Sequence, residues 1–210
     1  DLEFFSFLRY LANHFNVAYL TSSACDLQIL CHTKEISDSP FFNIFSTMRL
    51  GVFRRADAEQ LICVPSERVG RPLAPYTERL LGLAGCFPFY LQIACCHTLE
   101  YLDEVPAQSE PDFGEIGRRF FDEAKLHFRY VWEAMDSLER STIVRLARGR
   151  GIPETLRHVL EDLSRRSLVA PDPGGRPKLF AESFAEFIRQ EGTGQEGGSL
   201  LSRIFGRNRG

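Results

Sequence analysis

Apolar positions in this 210-residue chain recur mostly three and four apart, the period of helices with one buried face. Leu2 to His14 predicts a first helix, with Phe5, Leu8, Leu11, Ala12 and Phe15 along one side. Asn16 interrupts it. Val17 to Thr21 is then a short apolar run of the kind that fits a buried parallel strand, and it ends in the hydroxyls of Thr21, Ser22 and Ser23. Those hydroxyls either stand beyond the strand's carboxyl end, where such sheets bind ligands, or cap a helix that begins near Ala24; Asp26 to Cys31 reads as a short helix or turn, and Lys34 to Pro40 as a loop. Phe41 to Leu50 is expected to be a strand closing at Gly51. Asp57 to Val64 predicts a helix stopped by Pro65, with Ala58, Leu61, Ile62 and Val64 inward, followed by a loop over Ser66 to Pro75.

The stretch from Pro75 to Leu102 reads as two short helices bent at Gly85-Cys86-Phe87-Pro88. Tyr76, Leu80, Leu81 and Leu83 mark the apolar face before the bend, and Phe89, Tyr90, Ile93, Ala94 and Leu102 the face after it. Gly85 can end the first helix at positive φ, and Pro88 suits the first turn of the second, where its missing N–H costs nothing. Such a helix start exposes backbone donors and could face a phosphate or a purine edge. A plain corner packed into a core accounts for the same spacing.

A polar, proline-bearing segment over Val105 to Pro111 marks a domain boundary. Three helices are expected beyond it. Phe113 to Met135 aligns Phe120, Phe121, Ala124, Phe128, Val131 and Trp132; Leu138 to Arg148 carries Ile143, Val144, Leu146 and Ala147; a third starts at Pro153 with Leu156, Val159, Leu160 and Leu163 inward. Ser167 to Ala170 and Pro177 to Phe180 flank the turn Pro171-Asp172-Pro173-Gly174-Gly175, which predicts a β-hairpin. Phe184, Phe187 and Ile188 belong to a closing helix. Three helices and a two-stranded wing make a winged helix.

Composition is that of a folded protein: eighteen phenylalanines and a formal charge of −3. This balance excludes a global attraction to nucleic acid or anionic membrane. No apolar run is long enough to span a bilayer, and no signal peptide is evident. The six cysteines form no C-x-x-C pair, so zinc-ribbon and thioredoxin readings fail and no metal is expected; free thiols in a reducing cytoplasm are expected instead. The start at Asp1, inside an expected helix, suggests a piece of something longer. The sequence contains no G-x-x-x-x-G-K-[ST] loop and no apolar strand ending in an acidic pair, so the parts that hold phosphate and magnesium for hydrolysis are not in it. With no G-x-S-x-G elbow either, no catalytic residue is assigned.

Three phrases together carry a resemblance: Leu50-Gly51, Ala58-Glu59-Gln60-Leu61-Ile62, and Leu83-Ala84-Gly85 with Pro88, Phe89 and Gln92. They resemble the lid region of AAA+ ATPases, and more closely that of STAND signalling ATPases and archaeal-type ATPases related to the Orc/Cdc6 initiators. The likeness extends from about Asn16 to about Gln190. It implies a mainly α (α+β) fold: residues 1–52 as the C-terminal part of an α/β P-loop ATPase core, 53–104 as a helical lid, 105–191 as the winged helix, and 192–210 as linker and tail. It also implies that the P-loop lies N-terminal to these residues, so the segment is not hydrolytic alone.

By that resemblance Thr21 and Ser22, ending the sensor 1 strand, would face the γ-phosphate, and Gly85 and Pro88 would lie on the adenine side. The arginine many members carry after the strand is missing: Ser22, Ser23 and Ala24 stand there. ATP or ADP with magnesium would bind the longer parent, and none is expected to bind this fragment tightly. The P-loop core of the same protein is the implied partner, with self-association possible on activation. A rival reading takes the winged helix as a DNA reader through Arg157, Arg165, Arg166, Arg176 and Lys178. Between Arg145 and Arg189, however, nine Lys/Arg stand against six Asp/Glu, and DNA readers present a more one-signed face. An intramolecular clamp is preferred, and a pure protein-interaction scaffold is the remaining alternative.

Overall fold

The computed structural model describes residues 2–23, 44–106, 109–172 and 174–192. The expected elements at Ala24, Asp26–Cys31, Lys34–Pro40 and the start of Phe41–Leu50 lie outside these residues, as do residues 193–210 of the linker and tail; Gly192, expected to open the linker, is instead helical and buried. The chain divides into two compact units, Asp1–Leu50 and Gly51–Gly210.

In the first unit, helix α1 spans Leu2–His14. Phe5, Leu8, Leu11 and Ala12 are half-buried, and the Tyr19 hydroxyl donates to the Leu8 carbonyl at 2.9 Å. An adjoining stripe is not covered: Phe4, Phe7 and Tyr10 are 55, 55 and 51 % exposed, and Phe15, expected inward, is exposed as well. The strands expected over Val17–Thr21 and up to Leu50 are not formed, since residues 17–23 and 45–50 carry no ladder. Tyr19 and Phe45 come together, ring centroids 6.5 Å apart, but no ladder joins the two segments among the described residues, and Leu20, Met48 and Leu50 are exposed.

The second unit opens with α2 (Arg55–Arg68), which runs through Pro65 instead of stopping there. Pro65 has no amide to give the Leu61 carbonyl, and the next residue, Ser66, anchors the helix end. Its buried hydroxyl donates to the carbonyls of Ile62 (2.7 Å) and Cys63 (2.9 Å), and accepts from the Leu73 amide (3.1 Å). Val64, expected inward, is exposed, while Ala58 and Ile62 are buried. A 3₁₀ turn over Ala74–Tyr76 leads into α3 (Thr77–Ala84), and α4 covers Pro88–Glu104. Leu91 and Thr98 join the expected face of α4 in the core, whereas Phe89 turns outward.

Helix α5 (Phe113–Glu133) is capped by Asp112, whose carboxylate accepts from the Gly114 amide at 2.8 Å. It buries Ile116, Phe120, Ala124, Phe128 and Trp132, one residue per turn. Helix α6 (Ser137–Ala147) starts at a reciprocal capping box between Asp136 and Glu139. A 3₁₀ turn (Glu154–Leu156) precedes α7 (Arg157–Arg165). Strands β1 (Val169–Pro171) and β2 (Pro177–Leu179) pair antiparallel, with Val169 opposite Leu179. Helix α8, residues 182–192, closes the unit. A core shared by all these helices and the hairpin gathers Leu80, Leu91, Phe120, Phe128, Leu163, Phe184 and Phe187. The described residues are thus mainly helical, with one two-stranded sheet. Among the described residues no helix is long and apolar enough to cross a membrane.

Candidate functional site

The bend between α3 and α4 is built by backbone conformation. Gly85 ends α3 at φ 63°, ψ −155°, and its amide donates to the Leu81 carbonyl at 2.8 Å. That region of backbone space is closed to L side chains. Phe87 is extended (φ −77°, ψ 118°) and Pro88 takes the first helical position of α4. No side chain caps this start, so its first-turn amides have no acceptor within the helix.

What faces the bend is the chain itself. A Cβ on Gly85 would run into the Phe180 carbonyl oxygen and come within 3.1 Å of the Phe180 ring. Phe180 directly follows β2; its amide donates to the Leu168 carbonyl at 3.1 Å. Its ring meets Phe87 edge-on at 4.6 Å and stacks on Tyr90 at 5.6 Å and Phe184 at 4.9 Å. The Ser183 hydroxyl donates to the Leu83 carbonyl. On the other side the Phe53 amide donates to the Cys86 carbonyl at 3.0 Å. Burial pushes the Tyr90 hydroxyl up to about 12. It also raises the Cys86 thiol, against a smaller opposing pull from Arg55. A raised thiol is a poor nucleophile, so the helix-start position gives Cys86 no activation.

Of the residues assigned to nucleotide, Gly85 and Pro88 share this bend, Gly85 buried and Pro88 half-buried. Thr21 and Ser22 are exposed and belong to the other unit. The space that Gly85 leaves open is taken by Phe180, a residue far along the chain that sequence reasoning did not single out. Nothing local marks Phe180 or Phe53 as partners of the bend; their pairing is purely tertiary. An open depression of about 510 Å³ lies beside it, lined by Phe53, Asp57, Gln60, Leu61, Val64 and Pro65. The Arg54 guanidinium bonds Asp57 at 2.8 Å and holds its carboxyl below the usual range.

The basic set on α7 and the hairpin is largely neutralised in place. Arg157 pairs with Glu154 (3.0 Å), Arg165 with Asp162 (2.8 Å) and Arg166 with Glu139 (2.6 Å). Arg176 holds the hairpin turn through its amide, which donates to Asp172 at 2.8 Å, and Lys178 lies opposite Ala170. A phosphate would have to displace these carboxylates. Among the described residues no three His, Cys, Asp or Glu side chains are grouped as metal ligands.

The sequence model of a family described as Novel STAND NTPase 2 (nSTAND2) matches residues 1–152, most of the chain. The chain belongs to the novel STAND NTPase 2 family. The nSTAND2 match covers the first unit and the second as far as α6, and so includes the Gly85–Pro88 bend. Phe180 and Ser183, which meet the bend, follow the nSTAND2 region. No curated protein and no solved structure matches the chain.

Proposed function

We propose that this chain is the lid and winged-helix regulatory part of a STAND/AAA+-type ATP-binding signalling switch. Residues 53–104 are the lid, and α5 to α8 with the hairpin are the winged helix. The observation that carries this reading is the seat of Phe180 on Gly85, where hairpin and lid bend interlock without room for a methyl group. An arrangement of that kind supports use of the winged helix as an intramolecular clamp. The paired arginines of α7 weigh against use as a DNA reader.

In this reading the uncovered stripe Phe4, Phe7, Tyr10 is the face that a P-loop core of the same protein covers. With that core in place, Thr21 and Ser22 come to the γ-phosphate of ATP and Pro88 to the adenine side. Gly85 acts indirectly, by letting the hairpin sit close. Nucleotide shifts the balance between clamped and released arrangements by no more than its difference in affinity for the two. Hydrolysis with magnesium belongs to the longer chain, as does any self-association on release.

Isothermal titration with ATP·Mg and ADP tests this. The 210-residue chain binds weakly or not at all, and a longer chain carrying the P-loop binds tightly. Tight binding by the 210 residues alone would overturn the proposal.

A further inference from the structure

The segments around the bend follow one another in a ring of three contacts and one near approach. Phe53 donates its amide to Cys86 at 3.0 Å. Gly85, next to Cys86, lies under the Phe180 carbonyl. Phe180 bonds Leu168 at 3.1 Å. Ser167, next to Leu168, brings its hydroxyl oxygen to 3.2 Å from the Cβ position of Gly51, and Gly51 leads back through Val52 to Phe53. Three segments distant in sequence thus meet: the connector 51–53, the lid bend 85–87, and the hairpin with its base, 167–180. Two members of the ring hold φ values that L residues avoid, Gly85 at 63° and the non-glycine Ser167 at 59°. Each sits just past a helix end, Gly85 with its amide on the Leu81 carbonyl and Ser167 with the Leu168 amide returning to Leu163, so both of these turns lie within the ring.

We propose that residues 51–53 are a strap that locks the lid bend and the hairpin together, so that lifting the strap releases both. The strap follows the first unit directly in sequence. Tension along it is therefore delivered to Cys86 through the Phe53 amide and to the hairpin base through Gly51. The inference concerns coupling within the second unit and stands apart from nucleotide binding. A failed titration with ATP leaves it untouched.

Amide hydrogen exchange on the 210-residue chain decides it. The reporters are the amides of Gly85, bonded to Leu81, and Phe180, bonded to Leu168; Phe128, inside α5, is the reference. Phe53→Pro removes the strap's donor, whereas Phe53→Ala keeps it and loses only the ring. The strap requires both reporters to exchange at least about tenfold faster in Phe53→Pro than in Phe53→Ala, with Phe128 unchanged. Equal reporter rates in the two variants overturn it. A second arm does not depend on the proline variant folding. The 3.2 Å between the Gly51 Cβ position and the Ser167 oxygen is close to the Cβ-to-sulfur separation of about 3 Å across a disulfide. In Gly51→Cys with Ser167→Cys, oxidation slows both reporters at least about fivefold relative to the same protein reduced. Unchanged rates, or failure of the bridge to form, sink the strap.

Discussion

Gly85 lies directly beneath the carbonyl of Phe180, so closely that the space a Cβ would need is filled by backbone. Backbone cannot step aside as a side-chain tip can. The φ of 63° and ψ of −155° at Gly85 add a conformational cost of roughly 1–3 kcal/mol for any L residue. Gly85→Ala is therefore expected to destabilise the second unit by about 3 kcal/mol or more, among the larger effects of a single substitution. Urea denaturation followed by circular dichroism measures it. A loss of about 1 kcal/mol or less would mean that the hairpin moves away from the bend without consequence.

Ser167 offers the opposite case. It follows α7 at φ 59°, where the Leu168 amide closes back on the Leu163 carbonyl at 3.0 Å, the geometry that glycine usually supplies at helix ends. A serine there carries a left-handed cost of roughly 1 kcal/mol. Ser167→Gly relieves that cost and gives up the hydroxyl beside Gly51, for an expected net gain of about 0.5–1 kcal/mol. A denaturation midpoint that falls would show that the hydroxyl contributes more than the backbone strain costs.

The contrast between these residues shows what a sequence can carry. The positive φ of Gly85, the first-turn place of Pro88 and the buried faces of α5 and α6 were legible, because each is a local rule: a turn residue, a missing N–H, a spacing of three and four. Phe180 and Phe53 were not legible as partners of the bend, since no periodicity links them to it. Pro65 misled in the other direction. It reads as a stop, yet α2 runs on to Arg68, and Ser66 beyond it bonds two carbonyls of the helix and the Leu73 amide, a partner that no spacing reveals. The strand expected at Val17–Thr21 shows the same limit. An apolar run states that a segment wants neighbours and is silent on whether they are present.

Acid sensitivity should have an identifiable source at the start of α5. Glu115 accepts from Arg118 at 2.7 Å and from Arg119 at 2.8 Å, and these bonds, Arg118's first, hold its carboxyl down at about 2. A carboxyl depressed in the folded state contributes stability above its unfolded value. That contribution is lost as pH falls from about 4.5 towards 2. Urea midpoints should therefore drop through this window, and Glu115→Gln should drop less steeply while meeting the native protein near pH 2. Because Glu104, Glu186 and Asp57 are also held low by arginine or amide partners, some slope should remain. Identical slopes for native and Glu115→Gln would show that the exposed network contributes nothing, as surface pairs often do.

The rival use of the hairpin unit can be separated by salt and by charge. Phosphate contacts make DNA affinity fall steeply with salt, one unit of log–log slope for roughly each phosphate engaged. Arg157, Arg165 and Arg166 each already hold a carboxylate, so a duplex would have to trade existing pairs for new ones. A gel-shift series with random duplex is therefore expected to show no retention at physiological salt, and Arg165→Ala with Arg166→Ala is expected to change nothing. Freeing the guanidiniums is the sharper arm. Glu139→Gln releases Arg166 from its partner at 2.6 Å and Asp162→Asn releases Arg165 from its own at 2.8 Å, which together raise the local charge by two. If the carboxylates are what keep DNA away, this double variant gains weak, salt-sensitive binding that the native chain lacks. Retention by the native chain, abolished by the paired alanines, would instead make the hairpin unit a DNA reader and remove the main support for an intramolecular clamp.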